Sequence, residues 1–165
     1  MGWSEWKKFG GLDKLYLYNK GDQCNDLTGG WGGFVNYGGG GSATFNDDYI
    51  ELKSSASGSN NQYAISTFNK IDTSNYDSLL IVYDEVSNAK STISTSINTT
   101  SRTGTNIVSS GTHYASHTKV NTSPRYNCAL VLNTSNIEGY VLINIGTLGG
   151  IANIKEIYLA NLCVE

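Results

Sequence analysis

Apolar residues in this chain alternate with polar ones at the two-residue period of β-strands, and helical periodicity is scarce. The stretch DKLYLYN (13–19) sets Leu15 and Leu17 against Tyr16 and Tyr18 and stops at NKGD, a turn. In DYIELKS (48–54), Ile50 and Leu52 share one face and Tyr49, Glu51 and Lys53 the other. A further strand is predicted over 62–68. The run DSLLIVYDEV (77–86) is apolar without interruption in its middle, which marks a central strand covered on both faces. In STISTSI (91–97), Ile93 and Ile97 lie four apart on one face. Residues 105–110 and 117–122 read as short edge strands, and 126–132, 139–146 and 153–161 close the chain. Only 2–9, with Trp3, Trp6 and Phe9 every third residue, predicts a turn of helix. About ten strands joined by short polar turns predict an all-β fold, an antiparallel β-sandwich. Parallel βαβ units are excluded, because no helix of 10–15 residues separates the strands. The predicted core takes in Leu15, Leu17, Ile50, Leu52, Ile65, Leu80, Val82, Leu130, Leu132, Val141, Ile143, Ile157 and Leu159. No linker or repeat divides the chain, so 12–165 reads as a single domain preceded by an extension, 1–11. The first strand (KLYLYN) and the last (EIYLAN) are similar enough to predict neighbouring places in one sheet.

One segment breaks the alternation. TGGWGGFVNYGGGG (28–41) is eight-fourteenths glycine with three aromatic residues among them. A phosphate-binding P-loop needs a Lys after its last glycine, and Ser42 follows here. A dinucleotide fingerprint needs a helix next, and none is predicted. A solvated tether would not carry Trp31, Phe34, Val35 and Tyr37. The segment therefore reads as a loop whose glycines permit turns and close backbone approach.

Charge and cysteine content narrow the partners. The net charge is −3 and only 15% of residues are charged, with no basic stripe to neutralise phosphates, so nucleic acid is excluded as a partner. The longest apolar runs, LLIVY (79–83) and CALVL (128–132), fall far short of the roughly 20 residues that span a bilayer, so no membrane insertion is expected. Abundant uncharged polar residues and 11 tyrosines fit an extracellular or virion-associated β protein. Cys24, Cys128 and Cys163 form an odd, widely spaced set without CxxC; they read as free thiols, with one disulfide and a leftover thiol as the alternative.

A family resemblance rests on the order of several stretches. A first strand leads to TGGW (28–31), then DDYIEL (47–52), IDTSNYDSLLIVYDE (71–85) and a final IANIKEIYLANL (151–162). This order, over about 12–162, resembles the galactose-binding-like jelly rolls, which include many carbohydrate-binding modules. The wording LYLYNKGDQCNDLTGGW also resembles domains of phage tail-associated and minor structural proteins of Gram-positive gut bacteria. The resemblance implies a jelly-roll sandwich, a glycan or cell-surface polysaccharide as partner, and other virion proteins as further partners. It also implies that Trp31 plugs the sandwich.

The candidate ligand-binding residues fall in two groups. Around the glycine segment, Tyr37 and Trp31 offer rings to stack on a pyranose, with Asn36, Asn46 and Asp47 as hydroxyl partners; ordinary turn chemistry competes for each Asn and Asp. Arg102, His113, Tyr114, His117, Arg125 and Tyr126 form the second group, of residue types common in recognition surfaces; solvated loop decoration is the alternative. On a strand, His113 and His117 would sit roughly 13 Å apart, too far to share a metal. No cofactor is expected. A structural calcium, which the resembled jelly rolls often carry, would draw on Asp13, Asp22, Asp26 and Glu156. Catalytic signatures are missing. Asp84 and Glu85 point to opposite faces of one strand, and no GxSxG elbow occurs. The sequence thus predicts a non-catalytic carbohydrate-binding module, then a virion assembly domain, and last a glycan hydrolase.

Overall fold

A computed structural model describes residues 13–55, 61–102, 114–134, 136–146 and 149–162. The expected helical turn at 2–9 and strand at 105–110 lie outside them. Among the described residues, twelve strands and one helical turn follow in chain order. They are β1 (Leu15–Asn19), α1 (Asn25–Thr28), β2 (Trp31–Tyr37), β3 (Gly41–Phe45), β4 (Ile50–Ser54), β5 (Gln62–Thr67) and β6 (Ile71–Asp72). After these come β7 (Ser78–Glu85), β8 (Thr92–Asn98), β9 (Tyr114–Thr118), β10 (Arg125–Asn133), β11 (Glu138–Gly146) and β12 (Ile151–Ala160).

Two six-stranded sheets form, both antiparallel throughout. Sheet I has the order β10-β7-β12-β4-β3, with β1 also on β12; sheet II has β2-β5-β11-β8-β9, with β6 also on β11. The first strand does pair with the last, Leu15 opposite Leu159. Because β4 occupies Ile151–Ile154 of β12 and β1 occupies Glu156–Leu159, the two lie end to end along one edge of that strand.

Leu17, Ile50, Leu52, Ile65, Ile143 and Ile157 are fully buried between the sheets, each worth about 1.5–3 kcal/mol of transfer free energy. In β12 the inward residues change parity, from Ala152 and Ile154 to Ile157 and Leu159, across an irregularity between Ile154 and Glu156. A β-bulge makes such a change by adding one residue to one strand.

Two expectations need correction. Leu80 and Val82 do not face the core: Leu79, Ile81 and Tyr83 do, while Leu80 and Val82 join Tyr16, Tyr158 and Ala160 in a separate cluster on the outside of sheet I. A wholly apolar strand has no polar face to set its phase, and pairing of Leu79 with Leu159 and of Ile81 with Ile157 decides it. The glycine segment is not a loop. Trp31–Tyr37 is an edge strand paired with β5, and Gly41–Phe45 pairs with β4. Between them, Gly38 has φ +76°, and a side chain on it would meet the Asn61 carboxamide oxygen at 2.1 Å, so the turn requires glycine.

Candidate functional site

Alternation along sheet II places a second set of residues on the face away from the core. On β11, Val141, Ile143 and Ile145 point inward, so Tyr140, Leu142 and Asn144 point outward. The same parity turns out Gly32, Phe34 and Asn36 on β2, Gln62, Ala64 and Ser66 on β5, and Ser94, Ser96 and Asn98 on β8. Tyr114 on β9 lies opposite Ser96. The floor is small and buried: Ala64, Ser66, Leu142 and Ser96 are all fully enclosed. Three partly buried rings, Phe34, Tyr114 and Tyr140, pack against Ala64 and Leu142. Five strands at about 4.8 Å spacing make this face about 19 Å wide from backbone to backbone.

At one end of the face sits a cluster of three carboxamides. Asn36 Nδ2 donates to Gln62 Oε1 at 3.1 Å and to Asn144 Oδ1 at 3.2 Å, and Asn144 Nδ2 donates to Gln62 Oε1 at 3.3 Å. Asn36 is 4% exposed, and its Oδ1 is buried without a hydrogen-bond partner. A buried acceptor left unmade costs about 1–3 kcal/mol. Asn36 also occupies an irregularity of the edge strand, between Val35 opposite Tyr63 and Tyr37 opposite Gln62. At the other end, the Arg102 guanidinium stacks on Phe68 at 3.9 Å from the ring centroid, and its Nε donates to the Thr67 carbonyl at 3.3 Å. Gly32 makes room for that stack, since a side chain there would meet Phe68 Cζ at 2.8 Å and Arg102 Nη2 at 2.9 Å.

The residues singled out in the sequence scatter over this frame. Asn36, Tyr114 and Arg102 share the outer face of sheet II, and Tyr37 stands 55% exposed at its β2 edge. Trp31 is in the core, 4% exposed, with its indole N–H donating to the Leu17 carbonyl at 2.9 Å. Asn46 and Asp47 lie in the turn before β4, on sheet I. His113 lies outside the described residues. His117 and Arg125 meet at another place: Arg125 Nη2 donates to the Tyr83 hydroxyl at 3.3 Å, which lies 3.0 Å from His117 Nδ1. Burial, and then the Arg125 charge, hold the His117 pKa below its ordinary value. Tyr126 is exposed on β10, the outermost strand of sheet I.

Phe34, Gln62, Asn144, Tyr140 and the Ser94–Ser96 pair were absent from the sequence-based set. For Tyr140, Asn144, Ser94 and Ser96 the signal is present in YVLINIG and STISTSI, where they alternate with the buried Val141, Ile143 and Ile145 of β11 and Ile93 and Ile97 of β8. Two of the candidate calcium donors already accept hydrogen bonds from the protein. Asp22 Oδ1 accepts the Cys24 N–H, Glu156 Oε1 accepts the Tyr16 hydroxyl, and no group of three His, Cys, Asp or Glu among the described residues could hold a metal. Cys24 and Cys128 are free thiols, both partly buried. No helix among the described residues is long and apolar enough to cross a membrane.

Comparison with known proteins fixes the fold class. No protein-family model matches the chain, and no curated protein matches it significantly. Among solved structures, the K1 cleaved adhesin domain of Lys-gingipain from Porphyromonas gingivalis W83 aligns with a TM-score of 0.51 at 11% identity, over 92% of this chain and 99% of that one. A family 11 carbohydrate-binding module from Clostridium thermocellum, in complex with a β-1,3-1,4-mixed-linked tetrasaccharide, gives 0.50 at 13% identity over 92% and 98%. The enzymatically active domain of tailspike protein 4 of bacteriophage CBA120 gives 0.51 at 12% identity over 88% of this chain; the chain spans 21% of that one. The protein is an antiparallel β-sandwich of the jelly-roll type, shared with structures that include a carbohydrate-binding module.

Proposed function

We propose that this chain is a non-catalytic carbohydrate-binding domain of an extracellular or virion-associated protein, with the outer face of sheet II as its glycan-binding surface. The observation that carries the reading is the buried, unpaired Asn36 Oδ1 held beside Gln62 and Asn144, two residues along the strand from the Phe34 ring. A sugar hydroxyl both donates and accepts, so it matches a carboxamide oxygen flanked by carboxamide N–H groups. The C–H face of a pyranose stacks on a ring such as Phe34. The family 11 module of like fold, in complex with a tetrasaccharide, supports the reading, and the like-folded fifth of the tailspike domain supports the virion setting.

Asp72 and Glu138 lie opposite each other where β6 meets β11, and both are exposed, whereas a glycosidase acid is kept protonated by an enclosed apolar setting. A glycan array followed by affinity electrophoresis tests the reading. Wild type should bind a glycan class, and Phe34→Ala and Asn144→Ala should each weaken it about tenfold. An array with no bound glycan would overturn it.

A second reading, an assembly domain, is favoured by the outer face of sheet I. There Tyr16 and Tyr158 pack edge to face at 5.7 Å, Lys14 sits 4.4 Å from the Tyr158 ring centroid, and Val131 is 44% exposed. Mass measurement in solution decides it, since an assembly face of this kind gives a defined oligomer that Val131→Glu dissociates.

A further inference from the structure

The two ends of the sheet II face differ in chemistry. One end is built from the neutral carboxamides of Asn36, Gln62 and Asn144, and the other holds the Arg102 guanidinium. Three contacts fix that group in place: Phe68 beneath its plane, the Thr67 carbonyl on Nε, and the side-chain-free Gly32 beside Nη2. Among the described residues, no carboxylate forms an ion pair with Arg102. Asp72 and Glu138 lie further along, where β6 meets β11, and the Lys70 amine, 5.9 Å from the Tyr140 ring centroid, adds positive charge on the same side.

An arginine anchored through Nε and by its flat face keeps its two terminal nitrogens as a planar fork, which matches a carboxylate in two parallel hydrogen bonds. Gly32 and Phe34 are neighbours on the same side of β2, about 7 Å apart along the strand. A pyranose stacked on Phe34 therefore places a ring substituent within reach of Arg102. We infer that Arg102 is a specificity residue and that the preferred ligand is an acidic glycan, with a uronate or sialate carboxylate received by the guanidinium. This rests on the outer face of sheet II being the glycan-binding surface.

The test uses the full chain on an array of neutral, N-acetylated, uronate-containing and sialylated glycans. Affinities of the best acidic binder and its carboxyl-reduced counterpart are then measured for wild type, Arg102→Gln and Arg102→Lys. Wild type should prefer the carboxylate about tenfold, and this preference should shrink as salt rises. Arg102→Gln should erase the preference while keeping affinity for the reduced glycan; Arg102→Lys should keep part of it. Equal thermal unfolding midpoints would show that the variants fold. Binding confined to neutral glycans, or a preference that survives Arg102→Gln, overturns the inference and leaves the glycan-binding surface standing. An array with no bound glycan overturns both, and loss of all binding only in Phe34→Ala supports the surface alone and so counts against the inference if no carboxylate preference accompanies it.

Discussion

Trp31 shows how one side chain ties two elements of opposite sheets. Its ring lies among the core residues, and its N–H reaches the Leu17 carbonyl in β1. Trp31→Phe keeps an aromatic ring but strands that buried carbonyl, and should lower the unfolding free energy by about 1–2 kcal/mol in urea denaturation. Trp31→Ala should cost about 3–5 kcal/mol. His117 makes a different demand. Its Nδ1 lies 3.0 Å from the Tyr83 oxygen, which accepts from Arg125, so a proton on the imidazole would add a second positive charge beside the guanidinium. Its pKa is depressed in the folded protein by burial and by Arg125, so the unfolded chain binds the proton first as pH falls. The stability is fully present above the ordinary histidine pKa of about 6.5 and is lost as pH drops below it towards the lower folded value. Melting midpoints between pH 7.5 and 5 should therefore fall more steeply in wild type than in His117→Gln. At this scale the sequence revealed the aromatic residues of the glycine segment but not their roles, because which of Trp31, Phe34 and Tyr37 is buried depends on strand parity and on the irregularity at Asn36.

Among the elements, the connections at one side of the sandwich are joined by a buried ionic contact. Glu85 ends β7, and its Oε1 accepts the Ser87 hydroxyl at 2.6 Å; Lys119, just past β9, reaches the Ser87 carbonyl and lies 4.0 Å from Glu85. Both charged residues are almost wholly buried, so removing one leaves the other uncompensated. Lys119→Met should destabilise by about 3 kcal/mol, and Lys119→Met with Glu85→Gln by less than the sum of the single changes, read from a double-mutant cycle. Most elements were legible because alternation in stretches such as YVLINIG distinguishes the inner face from the outer one. β2 and β3 were hidden because glycine disfavours strands intrinsically, and only pairing with β5 and β4 supplies the structure. The phase of β7 was hidden for the opposite reason, an excess of apolar residues.

For the whole molecule, the order of synthesis and the order of the sheet conflict. β12 lies between β7 and β4 and also carries β1, yet it is the last of the strands among the described residues. A chain ending at residue 150 would leave β7, β4 and β1 without their shared partner. It should show no cooperative thermal transition and should be cut rapidly by protease at concentrations the full domain resists. Such long-range pairing also predicts folding in the millisecond-to-second range, measurable by stopped-flow dilution from denaturant.

The pairing of Leu15 with Leu159 has a mechanical consequence. The flanks of these two antiparallel strands leave the sandwich at the same end, so a load pulling them apart would fall on a single rung of hydrogen bonds at a time. In an optical trap, tension applied through residues 13 and 162 should peel β1 away like a zipper at low force. The same tension applied through residue 19 in place of residue 13 would strain the rungs together, and the domain should hold much longer.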